Sequence, residues 1–170
     1  MNTSEAIMTR RSIRKYGDDA VTEETIEDLL KAAMAAPSAG NQQPWHFIVI
    51  DDKDVLERIQ ELAPNAAMAE HAALAILVIG DPSNEKFGAY WPQDCAAATE
   101  NLLLAAHDKG LGAVWCGIFP RKQRVSDFIR FFDIPKQLTP FCIIPIGSPA
   151  EEKGPSERYD ANRVHKNKWA

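Results

Sequence analysis

At 170 residues, with a formal net charge of −5, 45% hydrophobic and 25% charged residues, the chain suits one soluble globular domain with a real hydrophobic core. The acidic balance disfavours a general binder of nucleic acid or of anionic membranes. No apolar run approaches the roughly 20 residues of a membrane span and no apolar leader opens the chain, so the cytoplasm is the expected location.

The predicted elements alternate. Ser4 can cap a short helix to about Met8, after which a basic run begins. Thr22 is a good N-cap, with Glu23 and Glu24 in the positive first turn. Ile26, Leu29, Leu30, Ala33 and Met34 recur at helical spacing, so 23–36 reads as an amphipathic helix. Pro37 stops it, PSAGNQQP is a loop of turn formers, and WHFIVI is a strand. A helix over 54–62 and a small-residue helix around 66–73 precede LAILVI, a short buried strand. Residues 94–109 make the longest helical pattern, with Gly110 as its C-cap residue. Its broad apolar surface suggests burial on more than one side, as at a subunit interface. AVWCGIF reads as a strand running into a loop, 121–132 as a helix and PFCIIPIG as the last strand. The polar tail 148–170 ends near Trp169, an aromatic expected to dock on a partner subunit. Such alternation makes a single α/β or α+β domain over 1–170, and a monomer looks under-covered, so a dimer is expected.

Several chemistries lack their residues. The four histidines have no i, i+4 partner and no cysteine pair nearby, which leaves a zinc site unsupported. Cys95, Cys116 and Cys142 are odd in number and lie in apolar settings, as buried free thiols do. There is no G-x-S-x-G and no P-loop. GLGAVW lacks the third glycine of a dinucleotide fingerprint and precedes a strand where the motif should follow one. An enzyme built this way would rely on an organic cofactor.

Two segments stand out against that background. Arg10, Arg11, Arg14 and Lys15 crowd four cations into six positions of an acidic chain. With the Ser12 hydroxyl they suit a phosphate, because guanidinium groups donate paired hydrogen bonds and stay charged. Taken alone, the run is equally a solvated basic stretch. In APSAGNQQPWHF, small residues let backbone approach a flat ring closely, while Asn41 and two glutamines offer donors and acceptors to its edge. A polar loop without a ligand would look the same.

Together the segments carry a resemblance. R-R-S-I-R-K-Y from residue 10 and P-S-A-G-N-Q-Q-P-W-H-F from residue 37 are similar to motifs of the nitroreductase family of FMN-dependent flavoproteins, in its short-chain branch. AAATENLLLAAHDKGLGAVWCGI and IPIGSPAEE…ERYDANRVHKNKW extend the likeness over nearly the whole chain. The resemblance implies a central, mostly antiparallel sheet flanked by helices, in an intertwined homodimer with two FMN sites at the interface. It implies that Arg10, Arg11 and Ser12 bind the ribityl phosphate. Arg14 would sit near flavin N1 and O2 and stabilise the anionic reduced ring. Pro37, Ser38, Ala39 and Asn41 would come from the other subunit. Backbone N–H groups of Cys116 and Gly117 would reach O4 and N5, with Trp115 flanking that loop, and Arg158 would close over the phosphate. Ser156 stands where many relatives have a further basic residue, for which Lys153 is a candidate substitute. No lysine lies around Asn65 to Met68, which shifts the N1/O2 role to Arg14. The implied activity is transfer of hydride from NADH or NADPH through FMN to a nitroaromatic or quinone by a ping-pong mechanism, with no metal and no side-chain acid or base. An FMN storage or sensor protein without NAD(P)H turnover is the alternative.

Overall fold

The computed structural model describes residues 1–169. At the centre of its sheet, β2 (Leu74–Gly80) pairs antiparallel with β5 (Thr139–Gly147). β1 (Trp45–Ile50) flanks β2, while the short β3 (Gly112–Ala113) and β4 (Cys116–Gly117) both pair antiparallel with β5. β2 is buried along its whole length, and period-2 alternation sends its side chains to two cores. Leu74, Ile76 and Val78 pack with α2 (Glu23–Met34) and α4 (Trp91–Asp108). Ala75, Leu77 and Ile79 pack with α3 (Lys53–Leu62) and α5 (Lys122–Phe131). A strand covered on both faces must be apolar throughout, which is why LAILVI carries no polar residue. Each fully buried Leu, Ile or Val contributes roughly 1.5–3 kcal/mol. The expected mixed fold with a central antiparallel sheet is present.

Local signals place most elements, with shifts at their ends. α1 spans Thr3–Thr9, and its cap is Asn2 rather than Ser4: the Asn2 side chain accepts the Glu5 N–H at 2.9 Å. Thr22 caps α2 as expected, but that helix stops at Met34 with Ala35 as its C-cap. α4 begins at Trp91, three residues before the expected start, because Pro92 falls in its first turn, where a missing N–H costs nothing. The small-residue helix expected around 66–73 is a 3-10 helix over Pro64–His71 with a kink at Ala66.

AVWCGIF is not one strand but two short pieces separated at Val114 and Trp115. The cause lies across the ladder. Val114 donates to the Pro145 carbonyl at 3.4 Å, yet proline has no N–H to return the bond. His46 on β1 faces solvent.

The basic run extends this edge of the sheet. Ser12 bridges Ala113 in parallel, and Ile13 N–H donates to the Ala113 carbonyl at 3.0 Å. Tyr16 bridges Pro149, and Gly17 N–H donates to Ser148 at 2.9 Å. The start of the tail is thereby zipped to residues 13–17. Further along, Trp169 is 89% exposed and its ring lies 4.1 Å from that of His165. No helix among the described residues is long and apolar enough to cross a membrane.

Candidate functional site

The four cations near the start have different surroundings. Arg10 donates through Nε to Glu100 of α4 at 3.1 Å. Its two terminal nitrogens have no partner among the described residues, so they remain available to an anion. Arg11 donates to the Gly154 carbonyl and lines a cavity of about 440 Å³ with Thr9, His107, Leu111 and Lys153. Arg14 is held by its backbone: its N–H donates to Glu151 at 2.6 Å, and its side chain stays exposed. Lys153 bridges the Ser12 carbonyl at 2.7 Å and Glu151 at 2.9 Å. The Arg14 N–H bond and then the Lys153 bond hold the Glu151 carboxyl below its ordinary range.

β4 lies next to this run. Burial pushes the Cys116 thiol up to about 11, opposed by the positive charges of Arg14 and Arg124. A thiol so placed stays protonated, an inert core group rather than a nucleophile. The β4–β5 ladder has a definite phase. Ile118 N–H donates to Phe141 at 3.0 Å, and in an antiparallel pair such bonds recur at every second residue. With Cys116 opposite Ile143 and Gly117 opposite Cys142, the Cys116 N–H turns inward to β5 and the Gly117 N–H turns away. Of the two donors expected here, the geometry leaves the Gly117 N–H. Gly117 has open space where a side chain would stand: a Cβ there would meet only the Phe119 carbonyl, 4.0 Å away. Its own carbonyl accepts a 2.7 Å bond from Arg124 of α5. Trp115 is half-buried, its ring 5.5 Å from Phe141.

The loop Pro37–Gln43 lies against the first turn of α4. Gly40, Asn41 and Gln43 all have left-handed backbones, with φ of 53°, 55° and 48°. For the two non-glycine residues that costs of order 1–3 kcal/mol each, and local bonds hold it. Gln43 N–H donates to Ser38 Oγ and Gln43 Nε2 to Asn41 Oδ1, both at 3.0 Å. The left-handed φ of residue 40 favours glycine, and a Cβ there would also have to displace the exposed Phe87 ring, 2.1 Å away. Pro37 and Asn41 are exposed, while Ser38 and Ala39 are half-buried.

The structure thus sets Arg14 and Arg124 near enough to Cys116 for their charges to act on its thiol, and sets Ser12 beside β3. Among the described residues no hydrogen bond joins the Pro37–Gln43 loop to the basic run, and none holds Arg158, which is exposed in the tail. Three residues escaped the sequence reading. Asp94, buried in α4, accepts the Ala39 N–H and the Gln42 amide. Its signal was present as a carboxylate on a helix otherwise apolar on that side. Arg124 and Glu151 carried no signal, because each looks like an ordinary surface charge. No cluster of metal-ligating side chains occurs among the described residues.

Comparison with known proteins bears on this arrangement. The nitroreductase family model matches residues 7–81 and 62–148. A protein of Methanothermobacter thermautotrophicus named "Putative NADH dehydrogenase/NAD(P)H nitroreductase" is 50% identical over 99% of this chain and 88% of its own length. The solved structure of an FMN-dependent nitroreductase from Clostridium difficile superposes with a TM-score of 0.91 at 31% identity, covering 98% of this chain and all of that one. An NAD(P)H-linked FMN reductase of Bacillus subtilis is 25% identical over 94% of this chain and 71% of its own length.

Proposed function

This chain belongs to the nitroreductase family and is an NAD(P)H-dependent, FMN-using oxidoreductase; we propose that it serves an electron-poor acceptor, a nitroaromatic or a quinone, from the same open site that receives the nicotinamide. When bound, FMN supplies the electron-transfer chemistry between donor and acceptor. A single site used in turn by the two substrates gives ping-pong kinetics.

One observation carries the assignment of the site. The positive charges of Arg14 and Arg124 both act on Cys116, and Arg124 bonds the carbonyl of the adjacent Gly117, which has an open face and an outward N–H. That donor set suits the edge of an electron-accepting ring: an N–H toward N5 or O4 and cations to favour added negative charge. In this reading Arg10, Arg11 and Ser12 hold the phosphate with Arg158, and Arg14 lies at the N1/O2 end. Trp115 and Cys116 shape the wall. Pro37, Ser38, Ala39 and Asn41 belong to the site of a second copy, which makes the working unit a homodimer. The unpartnered terminal nitrogens of Arg10 support the phosphate role. That no hydrogen bond joins the Pro37–Gln43 loop to the basic run among the described residues is compatible with the shared site. Three buried free cysteines suit a reducing cytoplasm.

The test is an absorbance spectrum of the purified protein, followed by anaerobic addition of NADH and of NADPH. Flavin bands should bleach with at least one donor and return on adding a nitroaromatic or quinone. Bands that persist under both donors would point instead to FMN storage or sensing. Failure to take up FMN would remove the cofactor assignment itself.

A further inference from the structure

Asp94 is the one charged side chain among the buried residues described, 5% exposed, and has no cationic partner among them. A carboxylate taken out of water is unfavourable unless hydrogen bonds occupy it. Here Oδ1 accepts the Ala39 N–H at 3.0 Å and Oδ2 accepts Gln42 Nε2 at 2.7 Å, at the positive end of α4. Gln42 is itself 6% exposed, and its Oε1 accepts the Lys86 N–H at 3.2 Å. The chain of bonds therefore links α4, the loop and the segment around Lys86 and Phe87. An apolar side chain would pack in α4 as well as its neighbours do. What a carboxylate adds is two directional contacts, and both go to the loop with the left-handed residues.

We infer that Asp94 is a positioning residue: its carboxylate holds the Pro37–Gln43 loop in the shape that presents Ser38, Ala39 and Asn41 to the flavin of the second subunit. This rests on the shared site proposed above. It makes a specific prediction about exchange of partners. In Asp94→Asn, the new amide nitrogen faces the Gln42 amide, donor against donor. In Gln42→Glu, two carboxylates face each other. In the double variant D94N/Q42E every pairing returns. The amide oxygen introduced at position 94 takes the Ala39 N–H, and the amide nitrogen beside it donates to the carboxylate introduced at position 42. That carboxylate still takes the Lys86 N–H.

The experiment measures FMN affinity by quenching of flavin fluorescence, with melting of the flavin-free protein followed by circular dichroism. Each single variant should weaken FMN binding roughly tenfold to a hundredfold, and the double should return to within about twofold of wild type. Where a single variant fails to fold, a folded double that binds FMN supports the inference, and an unfolded one overturns it. It is also overturned if D94N lowers the melting temperature but binds FMN as wild type does, or if the double is as weak as the two single losses combined. N41A separates the levels: if it weakens FMN binding while D94N does not, only the role of Asp94 fails, whereas a wild type that binds no FMN fails the shared site first.

Discussion

The Glu151 carboxylate accepts the Arg14 backbone N–H at 2.6 Å, so Arg14 is anchored by a group that does not bond its guanidinium. The same carboxylate takes up the ammonium of Lys153 at 2.9 Å. Lys153 thus compensates Glu151, and the Arg14 charge is left to act toward Cys116. One carboxylate anchors the segment without neutralising the cation assigned to the proposed site.

This anchor is pH-dependent. The Glu151 carboxyl is lowered first by the Arg14 N–H and then by Lys153, so the folded state holds its proton less tightly than the unfolded chain. Its stabilising contribution is complete above the ordinary carboxylate range and is lost as pH falls through the lowered value. Glu151→Gln should therefore melt below wild type near neutral pH, and the gap should close on acidification. A gap that is constant with pH would show that the bond contributes nothing through ionisation.

Arg14→Ala should lower the flavin midpoint potential and slow its reduction by NAD(P)H, roughly tenfold to a hundredfold. Arg14→Lys, which keeps the charge but not the planar fork, should recover part of the loss. Potentials measured by dye equilibration decide it, and an unchanged potential in Arg14→Ala removes the electrostatic role.

Arg10 is tied to Glu100 through Nε alone, which orients its terminal nitrogens. If they bind phosphate, Arg10→Ala should weaken FMN roughly tenfold to a hundredfold, the range for losing a charged hydrogen bond. Riboflavin, which lacks the phosphate, should bind the variant and wild type alike. Parallel titrations with both flavins check it. Equal losses for both would place Arg10 elsewhere.

Gly80 lies under Trp91: a Cβ there would be 2.2 Å from Cε3 and 2.7 Å from Cζ3 of the ring. That ring is packed by Phe119 and Phe141 at centroid distances of 4.8 and 6.1 Å. Gly80→Ala should cost about 1–3 kcal/mol, a drop of roughly 2–12 °C in melting temperature for a domain of this size. Gly154→Ala, where a Cβ meets nothing within 4 Å, should melt as wild type does.

Much of this molecule could be read from local pattern. Thr22 with its two glutamates set the start of α2, the apolar run of β2 announced a buried strand, and Gly110 closed α4 with a φ of 75°. The cation run and the Pro37 loop were likewise visible as chemistry without an evident structural purpose. These signals are short-range: caps, periods of 2 or 3.6 residues, and turn formers act within a few positions of one another. The break at Val114 could not be read so, because its cause is Pro145 on the neighbouring strand. Nor could the outward N–H of Gly117, which depends on the phase of the ladder with β5. Asp94 meets Ala39 and Gln42 across 55 and 52 positions of sequence, and Arg124 turns back from α5 onto Gly117 of the preceding strand. A polar group's partner is chosen by which backbone the folded chain brings to it. Local sequence therefore determined the elements and the residue types of the site, while tertiary packing decided which of those residues share one wall.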